Sequence, residues 1–227
     1  ARSNVGHQTR FGIVAIAPGQ GFADLFRSVN VGEVVTGGQT MNPSTQDLVE
    51  AIERLPQKEV LILPNNSNIL MAARQAQELV DKRVEVIPSR TVPQGVAAAL
   101  TLNHEQDFDL NVKAMTKAAT SVRTVEVTTA VRDAIVDETE VRAGQTIGLL
   151  DDQLVAAGEE SNAVIDQVLD SVDMDDYEIV TIYLGESCDQ EKGDALARHI
   201  RTRFPDLSDV EVTSGGQPFY DFIMSIE

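Results

Sequence analysis

Four short apolar, β-branched runs punctuate the first half of the chain at near-regular intervals: "FGIVAIA" (Phe11 to Ala17), "EVVT" (Glu33 to Thr36), "EVLILP" (Glu59 to Pro64) and "VEVIP" (Val84 to Pro88). Runs of this kind, without polar alternation, suit strands buried on both faces. Helical patterns lie between them. "STQDLVEAIERL" opens on a Ser/Thr cap and sets Leu48, Ile52 and Leu55 on one side, and "NILMAARQAQELV" does the same with Ile69, Ala72, Ala73, Ala76, Leu79 and Val80. Alternating strand and helix specifies a parallel sheet covered by helices.

After about residue 120 the pattern changes. "SVRTVEVTTAVRDAIVDETEVRAGQTIGLLDDQLVAAG" holds several strand-like runs separated by turn residues such as "AG" and "DD", which reads as antiparallel strands. A helix over about Ala163 to Val172, a strand "EIVTIYL", a helix "QEKGDALARHIRTRF", a strand "VEVT" and a last strand "YDFIMSIE" follow. The expected fold is therefore α/β with two domains: a parallel sheet covered by helices over residues 1–120, then an acidic α+β domain with a mixed or antiparallel sheet over residues 121–227.

Charge divides along the same line. Residues 1–120 carry 12 Asp and Glu against 11 Lys and Arg, whereas residues 121–227 carry 24 against 7. Such loading repels nucleic acid and anionic membrane and suits a basic protein partner. No apolar run approaches the ~20 residues that span a bilayer, and the opening "ARSNVGHQTR" lacks the apolar core of a signal peptide, so the expected location is cytoplasmic. The chain opens on Ala1 rather than methionine, which fits a fragment or processed piece as well as a whole protein. Cys188 is the only cysteine, which excludes a disulfide framework and a cysteine-rich zinc site, and His7, His104 and His199 are too scattered to suggest a metal site.

In an open parallel sheet, ligands meet the loops at the carboxyl ends of the strands. Those loops read "PGQGF", "GGQTMNPS", "PNNSN" and "PSRTVPQG". Asp24 is the nearest carboxylate and Arg90 the nearest cation, with no histidine, cysteine or lysine, so an acid–base or nucleophilic pair is lacking. "PGQGFAD" differs from a dinucleotide fingerprint in having Asp24 at the third glycine position. What remains are amides, hydroxyls and glycines: Gly37, Gly38, Gln39, Thr40 and Asn42 after the second strand, and Asn65, Asn66, Asn68 and Arg90 after the third and fourth. A second "GGQ", Gly215, Gly216 and Gln217, precedes the last strand. Helix capping accounts for one of the asparagines, and the set as a whole reads as a recognition edge for a partner or ligand.

The runs "GGQTMNPS", "LPNNSNI", "VIPSRTVPQG", "VTTAVRD", "IGLLDD" and "GGQPFYDFIMSIE" resemble, in this order, the carboxyl-terminal region of the kinase subunit of bacterial fatty acid kinase, of the dihydroxyacetone-kinase-like family. The resemblance spans about Phe11 to Glu227. It implies a DegV-like fold. It also implies that ATP and magnesium belong to an amino-terminal kinase domain outside this chain, that this fragment has no cofactor of its own, and that it engages a DegV-type fatty-acid-binding protein whose bound carboxylate is phosphorylated. "DMDDYE" (Asp173 to Glu178) lies before a strand and reads as an exposed acidic turn, unlike the family's aspartate cluster. Two functions stay open on this reading. One is a non-catalytic docking domain; the other is a fatty-acid-binding module in its own right, with the carboxylate held by Thr40, Asn66 or Arg90. A homodimer stays open too.

Overall fold

The structure is a computed structural model in which residues 9–37, 42–136 and 139–227 are described. Four parallel strands, β1 (Gly12–Ala17), β2 (Glu33–Thr36), β3 (Glu59–Leu63) and β4 (Arg83–Val86), form a sheet in the order β2-β1-β3-β4. Helices α1 (Gln20–Ser28), α2 (Thr45–Arg54) and α3 (Leu70–Glu78) connect them. Strand β1 is buried at all six positions, because its side chains alternate between two cores. Val14 and Ile16 meet Leu48, Ile52, Ile69 and Ala73 of the α2/α3 side, and Ile13, Ala15 and Ala17 meet Phe22 and Phe26 of α1 on the other. Ser44 caps α2 by a capping box, its hydroxyl accepting from the Asp47 amide while Asp47 accepts from the Ser44 amide.

Two helices then precede the second sheet, α4 (Val92–Thr101) and α5 (Phe108–Ser121). Neither stands out in the pattern of the sequence. Helix α4 has no polar face to announce it: seven of its ten residues are buried, since it lies between two sheets.

The second sheet has six strands in the order β11-β10-β12-β5-β8-β9. They are β5 (Arg123–Thr129), β8 (Thr146–Leu150), β9 (Gln153–Gly158), β10 (Ile179–Leu184), β11 (Asp209–Ser214) and β12 (Tyr220–Ile226), with β6 (Ala134–Val136) and β7 (Thr139–Val141) pairing apart as a hairpin. Only β10 and β11 run parallel; the other pairs are antiparallel, so the sheet is mixed as expected. Asp151 and Asp152 make the β8–β9 turn with φ of 50° and 70°, the two left-handed residues that a tight hairpin of matching twist requires. Helices α6 (Ser161–Leu169) and α7 (Gln190–Arg203) cover one face of this sheet around Val125, Val127, Ile182 and Met224. Its other face sends Tyr183 and Ile223 into the core built by α1, α4 and α5. The molecule is thus layered as helices, parallel sheet, helices, mixed sheet, helices.

Candidate functional site

The carboxyl ends of β1 and β3 open onto a narrow cleft facing the mixed sheet. Ile16, Pro18, Asn65, Asn66 and Ile69 line it from the parallel sheet, Arg90 and Val92 from the entry to α4, and Glu126, Asp152, Tyr220 and Ile223 from the mixed sheet. Three residues of the sequence-derived recognition edge, Asn65, Asn66 and Arg90, therefore meet in one place.

They do different work. Asn65 has a left-handed φ of 58°, which its side chain type tolerates, and is 5% exposed. Its Nδ2 donates to the Ile16 carbonyl at 2.9 Å, its Oδ1 accepts from the Ser89 hydroxyl at 2.8 Å, and its own amide donates to Ser89 Oγ at 3.1 Å. Asn65 ties together the ends of β1 and β3 and the loop after β4. Asn66 caps the 3-10 turn Ser67–Ile69, accepting from the Asn68 amide at 2.8 Å, and the Asn68 side chain is exposed. Arg90 is exposed and its guanidinium has no ion pair among the described residues; its amide donates to Gln94 Oε1 at 2.9 Å.

Glu126 is the residue that sequence reasoning missed. Along β5, Val125 and Val127 point into the core beneath α6 and α7, whereas Thr124, Glu126 and Thr128 point the other way. Thr124 shares a 2.7 Å hydrogen bond with Thr91. Glu126 is 9% exposed, and its carboxyl has neither hydrogen bond nor ion pair among the described residues. Burial, followed by the charges of Asp152 and Asp151, pushes its pKa up to about 7. Asp151 itself is held by Arg123 and by the Thr124 amide at 2.9 Å. Tyr220 is raised by burial and then by Glu126 and Asp152, so its hydroxyl stays protonated. The signal was present as one acid in "TVEVTT", but strand alternation alone sends that face to solvent; only the layer of α4 above it makes it interior.

The two "GGQ" segments part company. Gly37 is half-buried and donates to the Ala17 carbonyl at 3.4 Å, while Gly38, Gln39 and Thr40 lie outside the described residues. Asn42 is exposed in a separate open depression of about 560 Å³, beside Val35, Pro43 and Asp47. The second segment is internal. Gln217 is 0% exposed, and its Nε2 donates to the Tyr183 carbonyl at 2.9 Å. Gly215 and Gly216 donate to the Leu184 carbonyl at 3.0 and 2.9 Å, and the Gly215 carbonyl accepts from Phe22 at 3.1 Å. The loop thus fastens the start of α1 to the mixed sheet, with Gln217 turned away from any surface.

Elsewhere the reactive groups are quiet. Cys188 is half-buried, and burial followed by the Asp221 charge raises its thiol pKa, which keeps it from being a thiolate. His199 pairs with Asp166 at 2.8 Å on the α6/α7 surface. Among the described residues no group of three His, Cys, Asp or Glu is arranged to hold a metal ion, and no helix is long and apolar enough to cross a membrane.

This arrangement of two sheets sharing a helical layer is a DegV-like α/β fold. A DegV family protein from Thermus thermophilus, solved for its fatty acid binding, superposes with a TM-score of 0.63 at 14% identity, covering 96% of this chain and 99% of that one. The dihydroxyacetone kinase of C. freundii superposes with a TM-score of 0.62 at 11% identity over 96% of this chain and 48% of that one. At these identities the likeness is one of fold. The chain belongs to the FakA-like C-terminal family of fatty acid kinase subunits, whose model matches residues 12–227. It is similar to protein YloV of Bacillus subtilis (strain 168), 41% identical over 217 residues, or 96% of this chain and 39% of that protein. The chain thus spans 39% of the length of that relative.

Proposed function

We propose that this chain is the non-catalytic part of a fatty acid kinase chain, a domain that docks a cytoplasmic DegV-type fatty-acid-binding protein so that a kinase domain elsewhere in the same chain phosphorylates the bound acyl carboxylate. ATP and magnesium are assigned to that other domain. One observation supports the reading over a fatty acid enclosed between the two sheets: although the open depressions beside Asn42 and Arg90 measure about 560 and 670 Å³, the cleft at the carboxyl ends of the strands has a volume of about 30 Å³ among the described residues. That is an order of magnitude below the ~300–1,000 Å³ of ordinary ligand pockets. The buried Glu126 and the neighbouring Asp152 would also repel a fatty-acid carboxylate, against the single cation Arg90.

Two measurements test this. Native mass spectrometry of the purified chain is expected to give the bare protein mass, with a shift to a complex when a lipid-loaded DegV-type protein is added; a retained acyl chain without complex formation would establish the lipid-binding alternative. Incubation of this chain with ATP, magnesium and the lipid-loaded protein is expected to yield no acyl phosphate, and turnover by this chain alone would refute the assignment.

A further inference from the structure

The cleft's most unusual feature is a carboxyl that is nine-tenths buried, faces the free volume and is bonded to nothing among the described residues. Leaving a buried polar group unpaired is costly, and a charged one more so. Arg90 at the mouth is the obvious internal counter-ion, yet it forms no ion pair with Glu126 and stays exposed. Asp151 and Asp152 add negative charge beside Glu126, with Asp151 already engaged by Arg123. The apolar side chains Ile16, Ile69, Val92 and Ile223 complete the walls.

We propose that this cleft is a socket for one ammonium group, a lysine side chain of the docked protein partner, with the Glu126 carboxylate as its counter-ion. The inference rests on the docking reading above. A lysine fits on three counts. Its methylene stem suits the apolar walls while its head reaches the carboxylate. An ammonium is a compact point charge, whereas a guanidinium is a broad planar fork that the 30 Å³ volume admits poorly. The local balance is acidic, with Glu126 and Asp152 lining the cleft against Arg90 alone, which selects a cation over an anion. Two carboxylates make a poor metal site but a sufficient ammonium site.

Seating the ammonium holds Glu126 ionised, so binding expels its proton whenever the free protein carries one. Since the free carboxyl titrates near 7, with Asp151, Asp152, Arg90 and Tyr220 as the charged and titratable neighbours, docking weakens as pH falls below that value.

The test uses this chain, a lipid-loaded DegV-type protein and n-butylammonium as a lysine mimic. Glu126→Gln is expected to bind the partner at least about tenfold more weakly than wild type near pH 8, with the difference closing toward about pH 5.5, where wild-type Glu126 is also neutral. Equal affinities at the higher pH would overturn the socket and leave docking intact. If neither form binds the partner, the docking reading fails, and the socket is decided on the wild-type chain alone by the ¹³C shift of the Glu126 carboxyl. Butylammonium is expected to lower its titration midpoint; an unmoved midpoint, or one raised by butyrate instead, would overturn the proposal. A midpoint in the ordinary carboxylate range without ligand would do so too, since Arg90 would then already fill the role.

Discussion

Glu126 makes stability depend on pH in the direction opposite to a salt-bridged acid. Its folded pKa of about 7 lies above the ordinary value of 4.5, so between those values the native state binds more protons than the unfolded chain. Stability therefore falls as pH rises through that window, and the penalty is complete above it. At about 1.4 kcal/mol per pKa unit the penalty reaches roughly 3–4 kcal/mol as an upper figure. Glu126→Gln is expected to raise the melting temperature by several degrees near pH 8 and by little near pH 5, as read by circular dichroism; the reverse ordering would mean that the carboxylate is stabilised internally. The asparagines on either side of Asn66 separate on the same scale. Asn65→Ala removes bonds that join three loops and is expected to cost about 1–3 kcal/mol in denaturant unfolding, whereas Asn68→Ala, at an exposed position, should stay within about 0.5 kcal/mol. Both were visible in the sequence as members of "NNSN". Which one serves the interior was not, because Ser89, the partner that decides it, lies 24 positions away.

At the level of elements, the strands of the parallel sheet and the antiparallel run after residue 120 were legible because each β-branched run carries its own period, and the turn at Asp151 and Asp152 because its residue types demand it. The pairing of the last strand was not. β12 lies between β10 and β5, in the middle of the sheet, and nothing local distinguishes a central from an edge strand. The same limit hid the meaning of the second "GGQ". Its backbone packs so closely on the loop before α1 that a Cβ at Gly21 would sit 2.2 Å from the Ser214 carbonyl oxygen, and one at Gly19 2.2 Å from that of Gly216. These two glycines serve close approach between chain segments from opposite ends of the sequence, not a turn. Gly21→Ala must therefore separate α1 from the mixed sheet. The expected outcome is a loss of about 2 kcal/mol or more in denaturant unfolding, with faster amide exchange at Phe22, whose amide bonds to Gly215.

Across the whole molecule, two kinds of negative charge sit at different ranges from any partner. The surplus on residues 121–227, 24 acids against 7 bases, is largely at the surface among the described residues and acts through solvent. It can steer a basic partner over distances set by the Debye length, ~30 Å at 0.01 M salt and ~8 Å at 0.15 M. Glu126 is buried and acts only on a group already seated in the cleft. The two therefore control different rate constants: exposed charge governs association, and a desolvated pair governs dissociation. Raising salt across that range is expected to slow association of wild type and Glu126→Gln alike, by about tenfold or more, while leaving each dissociation rate nearly fixed. Glu126→Gln is expected to speed dissociation at every salt concentration without changing the salt dependence of association. Surface plasmon resonance with the DegV-type protein immobilised separates the two terms. An association rate indifferent to salt would leave the surface acidity as solvation alone, and a substitution that altered association but not dissociation would place Glu126 outside the contact.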